Sequence, residues 1–175
     1  MISAHTEIFA LSDIFVKVEE DRTESKQDRI DEHSKYGDGR FKTKQYIYRI
    51  ELRSYAEGAI PGIRLRLLGY GNQRFQKKDD VRLKHVIEKK GITAPRSESI
   101  IVEMGPLEYF YGETKKVTTS STTETTTNYT IGYENYAYVL EVYAGNELME
   151  TVLSKSTSKF ERIYQKTKNS DPDHP

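Results

Sequence analysis

Hydrophobic and polar positions alternate along most of this chain, with the two-residue period of a strand. The alternation is clearest from Tyr46 to Arg53. Tyr46, Tyr48, Ile50 and Leu52 share one parity, and Arg49, Glu51 and Arg53 take the other. Such a run predicts a strand of an antiparallel sheet with one wet face. After a turn at Ile60-Pro61-Gly62, Ile63, Leu65 and Leu67 against Arg64 and Arg66 repeat the pattern. From Tyr136 the first parity carries Tyr136, Tyr138, Leu140 and Val142. The second carries Ala137, Val139, Glu141 and Tyr143, so it is only partly polar. Gly145-Asn146 separates this run from Leu148 to Leu153, which is the local signal of a β-hairpin. The hairpin is the most structured-looking stretch, and the other runs read as strands laid beside it.

Elsewhere the pattern is weaker. Glu7 to Glu19 alternates loosely and predicts one strand, or two short ones joined at Ser12-Asp13 by a bulge that switches faces. Glu20 to Arg40 offers only Ile30 and Tyr36 as large apolar residues. It reads as a long polar loop, a flexible excursion near the N-terminus, or as a short charged helix around Lys26 to His33. Asp79 to Lys90 fits both periods, with strand preferred to helix. Ile92 to Met104 reads as a turn at Pro95 leading into another strand. Val117 to Thr130 is rich in threonine, a β-branched residue that favours strands over a linker. Residues 1–168 read as a single domain, and 169–175 as a disordered polar tail.

Short β-runs with turns between them, and no βαβ alternation, predict an all-β antiparallel sandwich of about seven to nine strands. The strand spacing, the turn at Pro95 and the hairpin at Ala144-Gly145-Asn146-Glu147 make the chain similar to immunoglobulin-like and fibronectin-III-like modules. The tryptophan and cysteine pair of antibody domains are absent. Tyr48, Ile50, Leu52, Leu65, Leu67, Leu140 and Val142 are the expected core.

Composition narrows the function classes. Hydrophobic residues make up 35% and charged residues 31%, with 27 Lys plus Arg against 27 Asp plus Glu. That balance gives no general reason to expect nucleic acid or an anionic membrane. The chain has no cysteine, which excludes disulfides, thiol nucleophiles and cysteine-ligated zinc. No apolar run approaches the roughly 20 residues of a membrane span. The first residues lack the basic and apolar regions of a signal peptide. An extracytoplasmic location (secreted or periplasmic, with a leader removed) is favoured slightly over a cytoplasmic one. His5, His33, His85 and His174 lie far apart, and no motif for a nucleophile elbow, a phosphate loop or a zinc helix occurs. No catalytic residue, metal site or cofactor is assigned.

Two biases remain. Arg82, Lys84, Lys89 and Lys90 belong to a locally basic segment. They form a candidate contact face for an acidic partner, or they guard an edge strand against unwanted pairing. Tyrosine occurs 13 times without a tryptophan. Tyr109, Tyr111, Tyr129 and Tyr133 form a candidate aromatic contact face, or they pack across strands. Asn128-Tyr129-Thr130 matches a glycosylation sequon. The expected function is that of a non-catalytic interaction or structural module. It binds a protein partner or belongs to a larger cell-envelope assembly. The alternative is a glycan-binding or glycan-processing accessory domain that uses the tyrosines.

Overall fold

The computed structural model describes residues 7–9, 13–29, 39–75, 78–120 and 123–170. The strands are β1 (Glu7–Phe9), β2 (Ile14–Arg29), β3 (Gly39–Ser54), β4 (Ile60–Phe75), β5 (Lys78–Ala94), β6 (Ile100–Ser120), β7 (Thr123–Gly132), β8 (Glu134–Ala144) and β9 (Glu147–Leu153). A helix, α1 (Ser158–Ser170), follows them. One sheet has the order β1-β2-β3-β6-β7, and the other β5-β4-β8-β9. Every pairing is antiparallel. The two-sheet, all-β expectation therefore holds. Chain-adjacent strands pair within a sheet as β1-β2-β3, β4-β5, β6-β7 and β8-β9, and the chain crosses to the other sheet between these groups.

The core lies where the alternating runs face each other. Val16, Val18, Tyr48, Ile50 and Leu52 from the first sheet meet Ile63, Leu65, Leu67, Leu140 and Val142 from the second. All seven expected core residues are buried. Side chains of each inward parity interdigitate across the gap between two packed sheets. The hairpin at Gly145 is as expected: Ala144 pairs with Glu147, and Gly145 adopts a left-handed φ of 62° that a side chain would strain.

The partly polar second face of β8 has a specific cause: it too is buried. Leu68, Tyr70, Ala137 and Val139 on the outer face of the second sheet are covered by Phe160 and Tyr164 of α1. Sequence reading by strand period missed this helix and placed its last turn in a tail. Thr167 to Ser170 is helical, while residues 171–175 lie outside the described residues. The signal was present as Phe160, Ile163, Tyr164 and Thr167, which recur at helical spacing. Thr157 caps the helix, its Oγ1 accepting the Phe160 amide at 3.3 Å. Burying the Phe160 ring contributes roughly 1.5–3 kcal/mol to docking.

One further expectation changes. Glu20 to Arg29 is not loop but strand, paired residue by residue with Gly39 to Tyr48. The ladder pairs the backbone groups that face β3, and its charges pair locally: Arg22 with Glu24, and Lys42 with Glu24 at 3.7 Å. Extended polar sequence needs no core contact when a neighbouring strand supplies the hydrogen bonds. Residues 30–38 lie outside the described residues. The first weak run divides into β1 and β2, in line with the two-strand alternative, and the two pair antiparallel with each other. Asp79 to Lys90 is strand, and the threonine-rich stretch forms the β6–β7 hairpin.

Leu140 of β8 lies in the core between the two sheets with no exposed surface. Leu140→Ala should cost about 2–5 kcal/mol in a urea unfolding titration, through lost transfer energy and a residual cavity. A change within error would place this parity in solvent.

Candidate functional site

Two neighbouring features concentrate exposed aromatic and charged groups. The first is the end of the sandwich where β7 passes into β8. Gly132 takes a φ of 77°, and a Cβ there would collide with the carbonyl oxygen of Phe110. This glycine lets the chain turn close against β6, and the Tyr133 amide donates to that same carbonyl at 2.8 Å. Tyr133 then rests on β4 at Gly71, where an added Cβ would come within 2.8 Å of the Tyr133 Cβ. Lys84 of β5 closes over the ring, its Nζ 3.3 Å from the centroid. Such a cation–ring contact is worth about 0.5–1 kcal/mol when exposed.

Beside it, Lys44 is only 7% exposed. Its ammonium donates to Glu134 at 3.0 Å and lies 4.9 Å from the centroid of Tyr111. Burial alone would lower its pKa, but hydrogen bonds to Glu134 and Tyr111 outweigh this and raise it. On the outer face of the first sheet, Phe41 and Phe110 stack at 5.4 Å. Phe110 is left 44% exposed.

The second feature runs along β5, which pairs with β4 on one side and forms the edge of its sheet. A register shift at Gly69/Tyr70 changes which β5 residues face outward. Before the shift Val81 and Leu83 point toward α1; after it Ile87 packs into the core between the sheets. Between β5 and α1 lies an open groove of about 830 Å³. Val81, Leu83 and Ile163 supply apolar surface, while Arg82, Lys166 and Thr167 supply polar groups.

The outer face of the same sheet holds a buried charge. Glu141 has no exposed surface. Its carboxylate accepts hydrogen bonds from Tyr164 at 2.6 Å, Tyr143 at 2.9 Å and Arg66 at 3.4 Å. Burial, and then the hydrogen bond to Glu141, push Tyr143 up to about 12 and raise Tyr164 as well.

The sequence-derived candidates are dispersed by this geometry. Tyr109 is 2% exposed, so it does not belong to a contact face. Its strand parity directs it inward, where it meets Tyr46 and His85 edge-on at 5.7 and 4.9 Å. Tyr111 and Tyr133 are half-buried at the sandwich end, and the Tyr129 side chain lies outside the described residues. Arg82, Lys84, Lys89 and Lys90 are all exposed on β5. They form a line instead of a cluster, since seven residues of strand separate Arg82 from Lys89 by roughly 23 Å. Arg82 pairs with Asp80 at 2.9 Å and Lys90 with Glu88 at 3.5 Å. Among the described residues no three His, Asp or Glu side chains gather as a metal site. No helix among them is long and apolar enough to cross a membrane.

The β5–α1 groove and the buried Lys44 were not found in the sequence. The groove depends on a helix to which the sequence reading assigned no element, and Lys44 on a neighbour ninety residues away. Comparison with protein-family models, curated proteins and solved structures finds no match.

The Tyr109 hydroxyl is buried without a hydrogen-bond partner among the described residues. An unsatisfied buried donor costs about 1–3 kcal/mol. Tyr109→Phe should therefore raise stability by about 1 kcal/mol in chemical denaturation. Gly69→Ala should lower it, because the new methyl would meet that hydroxyl at 2.5 Å and Leu107 at 2.6 Å. Opposite signs for the two variants are the expected result.

Tyrosine ionisation gives a second check. A free tyrosine titrates near pH 10. Burial raises Tyr46, Tyr48, Tyr109, Tyr143 and Tyr164 above this. Their neutral forms belong to the folded state, so the stabilisation is complete below about pH 10 and is lost as pH rises through 12 and beyond. Tyrosinate absorbance should show one class ionising near pH 10 and a second ionising only as the fold is lost. A single class near pH 10 in a folded protein would contradict the burial.

Proposed function

We propose that this protein is a non-catalytic interaction module of fibronectin-III-like or immunoglobulin-like type, which binds a protein partner within a larger assembly. The strand order supports the architecture. Reading β2, β3 and β6 as strands A, B and E, and β5, β4, β8 and β9 as C′, C, F and G, keeps each set within one sheet, which supports this reading. In this reading β1 and β7 are added strands, and β7 lies within the E–F connection as a hairpin with β6.

The observation that carries the functional reading is the edge strand β5. It is 17 residues long and belongs to a four-stranded sheet that leaves its second side unpaired among the described strands. Such an edge is a template for another chain. Arg82, Lys84, Lys89 and Lys90 along it favour an acidic protein over an apolar one and over a second basic edge.

A photo-crosslinking residue at position 84 should capture one discrete protein from the native source, and the same residue at position 103 on the opposite sheet should not. Lys84→Glu with Lys89→Glu should abolish the capture without unfolding, since surface substitutions usually change stability by under about 0.5 kcal/mol. Selective binding on a glycan array, lost in Tyr133→Ala, would instead establish the glycan-binding alternative.

A further inference from the structure

We propose that the groove between β5 and α1 is a peptide site, where an extended segment of the partner adds to the second sheet as a fifth strand and alternates apolar with acidic residues. The inference rests on the interaction-module reading and assigns its site and its sequence preference.

The backbone supplies the first part. A strand laid beside β5 finds main-chain donors and acceptors that no described strand pairs with, on the side away from β4. The useful length is short. The register shift at Gly69/Tyr70 re-aims the β5 side chains, so only the portion around residues 80–84 presents one regular face to the helix.

The side chains supply the second part. Residues directly opposite in an antiparallel pair point to the same face of the sheet. Partner residues opposite Val81 and Leu83 would therefore enter the groove, against Ile163 and Thr167 of α1. Its volume of about 830 Å³ is more than enough for a pair of aliphatic side chains. Partner residues opposite Arg82 and Lys84 would meet the guanidinium of Arg82 at the groove edge and the ammonium of Lys84 beside the Tyr133 ring. Lys84 is already positioned there by the Tyr133 ring. Arg82 is held by Asp80, so an incoming carboxylate shares that guanidinium. Lys166 adds a third cation at the groove wall.

The same cations reconcile the site with the usual role of lysine on edge strands. A second copy of β5 would bring Arg82 and Lys84 against identical charges and be repelled. An acidic strand would be accepted. The guard against self-pairing is thus also the selectivity for the partner.

The test uses the full chain and three synthetic peptides of about nine residues, long enough to span the strand. One alternates valine with glutamate, one valine with lysine, and one serine with glutamate. Fluorescence anisotropy should show saturable binding of the first, weaker by about tenfold or more for the other two, and weakening with added salt. Amide shifts should map to residues 80–84 and 163–170. Arg82→Glu with Lys84→Glu should reverse the preference toward the lysine peptide. Thr167→Trp, which fills the groove from the helix side, should weaken the valine–glutamate peptide while the melting temperature stays unchanged. No saturable binding, or equal binding of the serine and valine peptides, would overturn the site. Peptide binding with shifts confined to the Tyr111–Tyr133 end would overturn it too, but would leave the interaction-module reading standing. Selective glycan binding without peptide binding would overturn both.

Discussion

The buried carboxylate of Glu141 is the constraint on which the outer half of the structure depends. A charge removed from water must be paired and hydrogen-bonded, or it destabilises the fold by several kcal/mol. Arg66 on β4, Tyr143 on β8 and Tyr164 on α1 together provide for it. The first two lie on the sheet that carries Glu141. The third comes from the helix, so the helix is tied to one register on the sheet by a polar bond and to the face itself by Phe160. Apolar burial alone would favour docking without selecting the position. The hydroxyl of Tyr164 selects it, because a shift along the axis would take away the shortest of the three hydrogen bonds to that carboxylate.

That placement has consequences away from the charge. With Tyr164 over Glu141 and Phe160 against Tyr70, α1 covers the β4–β8 side of the sheet and leaves β5 as a wall beside it. The groove is what remains between a helix held inward and an edge strand that extends beyond it. A helix docked one strand further out would close it. The glycines at 69, 71 and 132 act similarly at the sandwich end. They remove side chains where Tyr109, Tyr133 and the Phe110 backbone approach, and so determine which tyrosines are buried and which stay accessible.

The charged surfaces divide into those neutralised within the fold and those left facing outward. On the first sheet, Lys17, Glu19 and Glu51 pair among themselves, as do Asp21, Arg49 and Glu103. Pairs of this kind, exposed to solvent, contribute little to stability. Along β5 the cations outnumber their partners, although Asp80 and Glu88 compensate part of the charge. An equal total of acids and bases thus conceals a local asymmetry, and it falls on the edge of a sheet.

By itself the sequence determined the strand class of the chain, the inward parity of β3, β4 and β8, and the turn at Gly145. These follow from local alternation and backbone freedom, and both are readable over a few residues. It also marked β5 as basic and the second half as rich in tyrosine. It did not determine that Glu20 to Arg29 is strand, because that segment is ordered by its ladder to β3 and not by any side-chain period. It did not separate Tyr109 from Tyr133, since burial there depends on which glycine of β4 lies opposite. The α1 pattern was present but ambiguous, and only Leu68, Tyr70, Ala137 and Val139 on the far side of a distant sheet give it a surface to cover. The groove is a relation between elements some eighty residues apart, and no local property of either one contains it. Alternation tells which way a side chain points; what it meets there is decided by chain segments that come together only on folding.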